Sequence, residues 1–359
     1  MNRTQRLAAA AALAASVIAG CSGGGSPSPL QESAAAEQET TTSTTAPPVA
    51  PLTGLPASDE SVLDRPALIV KVDSTPKAFV LQQGIDKADV VVVEQVEGGM
   101  TRFAVVFQSK DATVGPVRSA RTSDLAIAPN FGRPLFSCSG GNTRVMSQVA
   151  RSASLVDLCI NTAGMSSVFE RNKHGSSLYR YFLPTAEVYG VGSGEGAAPD
   201  SLFDFREAAT PIEGETVLGA RITYKGVRVS YDWNGTGWAR GQDGRAHFMA
   251  GGGARIAPAN VVVVATPYKF SGYRDVTGAP SPEAVLVGTG SAWFLSGGKA
   301  VQGTWTRSSG GRFEFTDAVG NPVGLTPGQT WLELAPGAAA TVLVRPVPQT
   351  TAGPATTRP

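Results

Sequence analysis

The chain has 359 residues and is almost neutral, since 30 Lys and Arg balance 29 Asp and Glu to a formal net charge of +1 at pH 7. With no basic run in the sequence, this balance argues against a nucleic-acid partner and against electrostatic docking onto anionic lipid. Two distant histidines, His174 and His247, without any cysteine cluster argue against a zinc site. We therefore predict no metal ion and no cofactor.

The first 20 residues have the pattern of a signal peptide. Arg3 and Arg6 precede an unbroken small and apolar run, Leu7–Ala19. This run is shorter than the roughly 20 residues of a membrane-spanning helix. It ends in Ile-Ala-Gly-Cys at residues 18–21, which resembles the lipobox of bacterial lipoproteins. We expect lipidation of Cys21, which anchors the protein on the extracytoplasmic face of the cytoplasmic membrane; a secreted protein with a chance cysteine is the alternative.

Residues 21–50 are predicted to be a disordered tether. They consist mainly of Gly, Ser, Pro, Thr, Ala and Glu, and they cannot bury enough apolar surface to offset the entropy of ordering. The roughly 300 residues that follow are enough for two domains. We predict an α/β domain over residues 51–212, an all-β domain over residues 213–346 and a frayed tail over residues 347–359.

The predicted fold class is α+β, because the pattern of strand-like and helix-like stretches changes near residues 209–215. Before this point, strand-like and helix-like stretches alternate, which predicts a mixed sheet with helices. The strand-like runs are Ala67–Val72, Asp89–Val96, Arg102–Phe107 and Leu155–Ile160, and the helix-like ones are Asn142–Ser152 and Ser201–Ala208.

After residue 215 short strands dominate, which predicts a mostly antiparallel sandwich or barrel-like domain. Asn234-Gly235 favours a hairpin turn between the first two of these strands. The predicted strands are Val227–Trp233, Gly237–Arg240, Asn260–Thr266, Val285–Val287, Ser291–Leu295, Ala300–Thr306, Arg312–Phe315 and Thr330–Leu334.

The second and third predicted strands of the α/β domain form a hairpin with Gly98-Gly99 at its turn. Counting back from a two-residue loop pairs Glu94 with Phe103 and puts Glu94 among apolar side chains. A carboxylate there must be ion-paired, protonated or at the mouth of a cleft. Glu97 and Arg102 would share the other face, where a diagonal ion pair between them is the simplest account.

Two cationic segments are candidates to meet Glu94 in a cleft, and a third segment lies between them in the chain. Arg118 and Arg121 would point the same way on a helical turn, and their guanidinium groups suit carboxylate or phosphate. His174 stands alone in a polar segment, where a solvated loop histidine is the simpler explanation. Residues 137–142 follow a strand and open a helix, so their backbone amides are candidates to receive an anion, although they lack the Lys and the spacing of a phosphate-binding loop.

Cys138 and Cys159 remain as an even pair once Cys21 is set aside. Outside the cytoplasm disulfides persist, so we predict a bond between these two residues. Two buried free thiols are the alternative, because the geometry of a bond cannot be tested in a sequence.

Several blocks of the chain, in order, resemble the signatures of the YerB-like bacterial lipoproteins. The resemblance implies a two-domain envelope lipoprotein and no particular reaction, since that family is known as a domain of unknown function. The sequence departs from the family pattern at residues 137–142, where His-Ala-Gly-Gly is more usual, and at Gly175, where Asn is usual. The matching blocks are residues 51–56, 65–67, 94–103, 115–121 and 174–179, and later Tyr231, the Asn234-Gly235 hairpin, Arg240, Gly244, His247, residues 259–261 and residues 327–331.

Two functions are consistent with these residues, and we favour the first. A binding lipoprotein would hold an envelope glycan, peptide, anionic polymer or partner protein in the α/β cleft. An envelope hydrolase would use Glu94 as general acid or base, with Arg118, Arg121 and His174 positioning charge. Glu94 and His174 are the candidate catalytic residues. Against hydrolysis, Glu94 and Glu97 would point to opposite faces of a regular strand, and no nucleophile elbow is present. The candidate ligand-binding residues are Glu94, Glu97, Arg102, Arg118, Arg121 and His174.

Overall fold

The computed structural model describes residues 47–57, 59–172, 178–207, 210–211, 213–337 and 345–346. The predicted signal peptide, the lipidation site Cys21, nearly all of the tether and His174 therefore lie outside the described residues. Within the described ranges, no helix is both long and apolar enough to cross a membrane.

In its described residues, the first half of the chain contains short strands, three α-helices and several 3-10 turns. The strands are β1 (Leu68–Asp73), β2 (Val90–Gln95), β3 (Thr101–Phe107), β4 (Thr113–Val114), β5 (Leu135–Ser137), β6 (Val156–Asp157), β7 (Glu170–Arg171), β8 (Tyr181–Pro184) and β9 (Asp204–Phe205). The helices are α1 (Ser123–Ile127), α2 (Thr143–Ala150) and α3 (Thr185–Val191). The 3-10 turns of the whole described chain are Glu60–Val62, Ile85–Lys87, Glu97–Gly99, Ala128–Phe131, Met165–Ser167 and Ala250–Gly252.

The second half of the chain is built mainly of strands. They are β10 (Glu215–Thr223), β11 (Arg228–Trp233), β12 (Trp238–Gln242), β13 (Arg245–Ala246), β14 (Asn260–Thr266), β15 (Tyr268–Arg274), β16 (Pro280–Ala284), β17 (Gly288–Ser296), β18 (Lys299–Arg307), β19 (Glu314–Asp317), β20 (Gly324–Leu325), β21 (Thr330–Pro336) and β22 (Arg345–Pro346).

A 15-stranded sheet carries strands from both halves, in the order β13-β12-β11-β10-β18-β17-β14-β21-β2-β3-β1-β5-β6, with β19 beside β18 and β22 beside β10. The predicted mixed sheet is confirmed, because β1 is antiparallel to β3 and parallel to β5. β21 lies between β14 and β2 and is parallel to both. Hydrogen bonds thus join strands of the two predicted domains, and the division at residue 212 stays a prediction.

The centre of this sheet is buried on both faces. The four consecutive valines Val90–Val93 of β2 are at most 1% exposed, as a strand covered on both sides requires. Their side chains alternate between two apolar clusters, so that Val91 and Val93 pack with Phe103 and Trp331 on one face. The central strands therefore provide a rigid base for the side chains at their ends.

One predicted helix and one predicted strand are not observed among the described residues. The predicted helix Ser201–Ala208 is absent over the described residues 201–207, where the short strand β9 pairs in parallel with β20. Phe203 and Phe205 of this segment pack in the apolar cluster around Phe315, and this tertiary packing overrides helix propensity. The predicted strand Val285–Val287 lies after the observed end of β16 at Ala284.

The predicted hairpin of β2 and β3 is present, but its register is wrong by one residue. Glu94 lies opposite Arg102 instead of Phe103. The connection spans residues 96–100 and contains the 3-10 turn Glu97–Gly99, so it is longer than the two-residue loop of the prediction. Since paired residues point to the same face of a sheet, Glu94 shares a face with Arg102.

Candidate functional site

A cleft of about 630 Å³ lies at the β2–β3 connection. Three parts of the chain line most of it: residues 96–102, residues 118–121 with the start of α2, and the β15–β16 hairpin. The first two belong to the predicted α/β domain and the third to the predicted all-β domain. We call this cavity the arginine cleft, because its lining includes Arg102, Arg118, Arg121 and Arg274.

Arg102 supplies a nearly buried positive charge to the cleft. Its side chain enters from β3, only 6% of the residue is exposed, and Nη1 donates to the Ser119 carbonyl at 2.9 Å. Among the residues that the structure describes, no carboxylate forms an ion pair with this guanidinium, because Asp73 and Glu97 are paired with other arginines. Burial, followed by the charges of Arg121 and Arg118, lowers the pKa of Arg102 to about 10, so the group stays charged at neutral pH.

Arg118 is held by a buried carboxylate behind the cleft. Its Nε lies 2.5 Å from Asp73 Oδ2, and the side chain of Asp73 is 1% exposed. Arg118 Nη1 also donates to the Leu178 carbonyl at 3.3 Å, and the guanidinium carbon lies 6.0 Å from the ring centre of Tyr179. These contacts fix the side chain while leaving it 19% exposed towards the cleft.

Arg121 is neutralised by Glu97. Its Nε and Nη2 donate to Glu97 Oε2 at 3.0 and 2.7 Å, and the Ser281 hydroxyl donates to Glu97 Oε1 at 2.6 Å. Burial opposes ionisation, but the hydrogen bond and charge of Arg121, with the Ser281 hydrogen bond, hold the pKa of Glu97 below its usual value. The predicted Glu97–Arg102 ion pair is therefore wrong, and Glu97 instead links Arg121 to the β15–β16 hairpin.

The segment that carries Arg118 and Arg121 is extended, so the helical turn predicted for it is wrong. The Arg118 N–H donates to the Lys71 carbonyl, and the Ala120 N–H donates to the Gly140 carbonyl, both at 2.8 Å. These bonds dock the segment between the end of β1 and the turn before α2. Both arginines still reach the cleft because the chain follows its wall.

Glu94 lies beneath the cleft and is not part of its lining. Lys71 Nζ is 2.5 Å from Glu94 Oε1 and 2.7 Å from Asp124 Oδ1, and the three side chains are at most 1% exposed. Arg118 and Arg121, the predicted partners of Glu94, pair with other carboxylates. Burial and the charge of Glu94 raise the pKa of Asp124 to about 6, against the opposing charge of Lys71.

Lys71 was not predicted as a partner of Glu94, although the sequence contains a signal for it. Lys71 interrupts the apolar run that forms β1. Because a buried ammonium is costly unless it is paired, a lysine in such a run requires a carboxylate partner. Glu94 in the neighbouring apolar run was the matching signal.

The start of α2 adds backbone donors to the cleft. The predicted transition from strand to helix is confirmed, since β5 ends at Ser137 and α2 begins at Thr143. The Asn142 side chain accepts the Arg144 N–H at 3.0 Å and so caps the helix. Gly141 and Asn142 line the cleft, and no hydrogen bond occupies their backbone N–H groups within the described ranges.

The predicted disulfide between Cys138 and Cys159 is confirmed, with the two Cα atoms 4.5 Å apart. It joins the residue after β5 to the segment that follows β6. The Ile160 N–H also donates to the Cys138 carbonyl at 2.9 Å. The bond therefore fixes the turn that precedes α2 and the cleft.

The β15–β16 hairpin was not predicted, although it contributes Tyr273, Arg274, Asp275, Val276 and Ser281 to the cleft. Its turn carries a local signature, because Asp275 Oδ1 accepts the backbone N–H groups of Thr277 and Ala279, both at 2.9 Å. Aspartate followed by Thr and Gly is a common turn sequence. This pattern was the missed signal.

A buried polar network holds the loop after β1 against the second half of the chain. Gln82 Nε2 donates to the Asp73 carbonyl, and the Gln82 side-chain oxygen lies 2.6 Å from His247 Nε2. His247 Nδ1 lies 3.0 Å from Arg240 Nη1. Burial, with the charge of Arg240, holds the pKa of His247 well below its usual value. This histidine is therefore neutral at physiological pH and supports the position of Asp73.

No group of three or more His, Cys, Asp or Glu side chains in the described part of the chain has the spacing to hold a metal ion. His174, a candidate in the sequence analysis, lies outside the described residues. Of the other candidates, Glu97, Arg102, Arg118 and Arg121 line the cleft.

The fold and the site define a mostly β protein with a large mixed sheet and the arginine cleft beside its central strands. The chain belongs to the DUF3048 family, a family of proteins of unknown function. Residues 52–198 match the N-terminal domain of this family, and residues 220–332 match its C-terminal domain.

Two comparisons extend this result. The chain is 28% identical to the Bacillus subtilis protein named "Putative lipoprotein YerB" over 298 residues, which cover 80% of this chain and 86% of that protein. The crystal structure of the YerB protein from Bacillus subtilis matches with a TM-score of 0.68 and 23% identity, covering 82% of this chain and 99% of the other. The structural similarity establishes that the two proteins share a fold.

Proposed function

We propose that this protein is a lipid-anchored lipoprotein of the cell envelope that binds an anionic group of an envelope polymer, peptide or partner protein in the arginine cleft. The observation that carries the proposal is Arg102, a nearly buried guanidinium without a carboxylate partner among the described residues. A buried charge without a direct ion-pair partner is costly for the folded protein. A bound anion removes that cost, so the cleft is suited to one.

The anchoring part of the proposal rests on the N-terminal sequence and on the relative. Residues 18–21 have the lipobox pattern, and the similar protein from Bacillus subtilis carries the word lipoprotein in its name. A lipidated Cys21 would hold the cleft outside the cytoplasmic membrane, where envelope polymers are present. We also propose the two-domain division as part of this function. The domain of residues 51–212 supplies most of the cleft, and the domain of residues 213–346 supplies the β15–β16 hairpin.

The hydrolase alternative draws little support from the geometry. Glu94, its candidate general acid or base, has no exposed surface and is paired with Lys71. A catalytic acid must reach the atom that it protonates, either directly or through one water. We therefore place binding ahead of hydrolysis.

Cosedimentation with purified cell walls tests the proposal. The full-length protein in nonionic detergent is compared with Arg102→Gln and with Arg151→Gln, which changes an exposed arginine at the far end of α2. We expect Arg102→Gln to weaken binding at least tenfold and Arg151→Gln to leave it unchanged. Equal binding by all three proteins would show that the cleft is not the binding site, whereas release of wall fragments that Glu94→Gln abolishes would favour hydrolysis.

A further inference from the structure

The charges around Arg102 set the charge of the group that the cleft takes. The charged groups that act most strongly on Arg102 are Arg121, Arg118, Asp73 and Glu97. Two arginines and two carboxylates among these cancel as ion pairs, so the single positive charge of Arg102 remains. One negative charge neutralises it. A phosphomonoester dianion would instead leave a second charge partly desolvated, which is unfavourable.

The donors reach the cleft from two directions. Arg102 enters from β3, whereas the backbone N–H groups of Gly141 and Asn142 lie at the two positions directly before the eight-residue helix α2, which Asn142 caps. Unpaired N–H groups at a helix start favour anions, and the nearly buried Arg102 is an independent observation at the same site. A carboxylate has two oxygens in one plane, and one guanidinium satisfies both of them. A tetrahedral phosphate group presents oxygens to both sets of donors.

The size of the cleft requires organic groups on the ligand. A volume of about 630 Å³ lies in the range of small-molecule sites and far exceeds one phosphate group. Hydroxyl and amide groups of Thr75, Ser119 and Asn142 line it together with the apolar Met100 and Val276. Such a lining suits neutral polyol or sugar groups on either side of the anion.

On the basis of the proposed function, we infer that the arginine cleft binds a phosphodiester monoanion within a polyol-phosphate or sugar-phosphate chain of the envelope. A bilayer surface is a poor fit, because Arg102 is only 6% exposed and lies inside a cleft. A nucleic-acid strand is also a poor fit, since such strands bind through several phosphates and aromatic stacking. Arg274 and Asp275 add one charge of each sign to the lining, so the cleft offers one excess positive charge. Its lining has one aromatic side chain, Tyr273, among the described residues.

Isothermal titration of the full-length protein in nonionic detergent tests the inference with three small probes. Glycerophosphoglycerol is a phosphodiester monoanion, glycerol 3-phosphate is a monoester dianion, and N-acetylglycine is a carboxylate monoanion. We expect glycerophosphoglycerol to bind at least tenfold more tightly than either of the others. Arg102→Gln should weaken its binding at least tenfold, and Arg102→Lys, which keeps the charge and the fold but loses the planar donors, should weaken it several-fold. Arg151→Gln is the matched control.

The other outcomes separate this inference from the proposed function. N-acetylglycine binding that equals the diester and depends on Arg102 would overturn the phosphodiester assignment and leave an anion-binding cleft. Failure of glycerophosphoglycerol to bind would also overturn it, and Arg102-dependent binding to cell walls would then still support the proposed function. Tighter Arg102-dependent binding to phosphatidylglycerol vesicles or to oligothymidylate than to poly(glycerol phosphate) would overturn the polyol or sugar source.

Discussion

Lys71 and Glu94 form an ion pair of 2.5 Å, and neither side chain is exposed to solvent. Asp124 is a second carboxylate on the same ammonium, at 2.7 Å. The Asp124 carboxylate also accepts the backbone N–H of Arg121 at 2.7 Å. One lysine thus supports two buried carboxylates directly behind the arginine cleft.

Replacing Lys71 should be the most damaging change in this cluster. Lys71→Met leaves Glu94 and Asp124 buried without their cation, and the loss of one partner from a buried pair costs on the order of 3 to 5 kcal/mol. Lys87→Met is the control, because Lys87 is 56% exposed in its pair with Asp86 and such pairs contribute about 1 kcal/mol or less. Urea denaturation measures both. A loss below about 1 kcal/mol for Lys71→Met would contradict the buried pairing.

The stability of the protein should fall as the pH rises through the range in which Asp124 ionises. Burial and Glu94 raise the pKa of Asp124 to about 6 from a usual value of 3.8. The folded state favours the protonated carboxyl. The stabilisation of the folded state by protonated Asp124 is therefore fully present below about pH 4 and is lost as the pH approaches about 6. This difference in pKa between the folded and unfolded states corresponds to about 3 kcal/mol in the free energy of unfolding.

Asp124→Asn isolates this effect from other buried acids such as Asp89 and Glu333, whose pKa values burial also raises. Free energies of unfolding measured for both proteins between pH 4 and pH 7 should differ in slope, with the flatter profile in the variant. Parallel profiles would show that Asp124 does not titrate in this range.

The two glutamates of the β2–β3 hairpin should affect anion binding differently. Glu97→Gln removes the carboxylate that neutralises Arg121, so we expect at least threefold tighter binding of glycerophosphoglycerol. Glu94 is the buried partner of Lys71 and does not line the cleft, so Glu94→Gln should change the affinity for glycerophosphoglycerol less than twofold. Titration calorimetry of both variants compares them. Weaker binding by Glu97→Gln would indicate that Glu97 itself contacts the ligand.

Reduction of the Cys138–Cys159 bond should destabilise the protein. The two residues are 21 positions apart, and a cross-link of that span contributes about 3 kcal/mol in the chain-entropy model. We expect a lower melting temperature in a reducing agent and an intact mass that alkylation does not change under denaturing, non-reducing conditions. Addition of two alkyl groups to the unreduced protein would disprove the bond.

Anchoring should depend on the thiol of Cys21. Cys21→Ala removes the site of lipidation, so the protein should remain uncleaved or be released from cells. Ser22→Ala is a control at the neighbouring position. Membrane fractionation after a carbonate wash measures the result, and full retention of cleaved Cys21→Ala with membranes would refute the lipoprotein assignment.

The strands of the sheet centre followed from the sequence because their apolar runs are long and bounded by turns. β1, β2, β3 and β14 lie within a residue of their predicted ends. The same local logic found the Asn234-Gly235 hairpin, where the Asn234 side chain accepts the Thr236 and Gly237 N–H groups at 3.0 and 2.8 Å. Local patterns sufficed wherever neighbouring residues determine the structure.

Local sequence patterns predicted only some of the residues that line the cleft. Glu97 and Arg102 were selected at the predicted hairpin, and Arg118 and Arg121 because two arginines three residues apart suit an anion. All four line the cleft. Their partners were not found, since a change of one residue in the hairpin register moves every side chain to the opposite face. The sequence does not show that the β2–β3 connection has five residues, and the length of this connection sets the register.

The sequence by itself determined the lipobox pattern, the central strands of the mixed sheet and the charged segments, because each depends on composition or on neighbours in the chain. Only the tertiary structure decided which charges meet. Asp73 and Arg118 are 45 positions apart, and Glu97 and Ser281 are 184 positions apart. The contact between Glu97 and Ser281 forms because β21 docks beside β2 and brings the two halves of the chain together. Asp73 and Arg118 meet within the first half, where the Arg118 N–H donates to the Lys71 carbonyl. Buried charges then pair by proximity in space, and Arg102 is left to define the cleft.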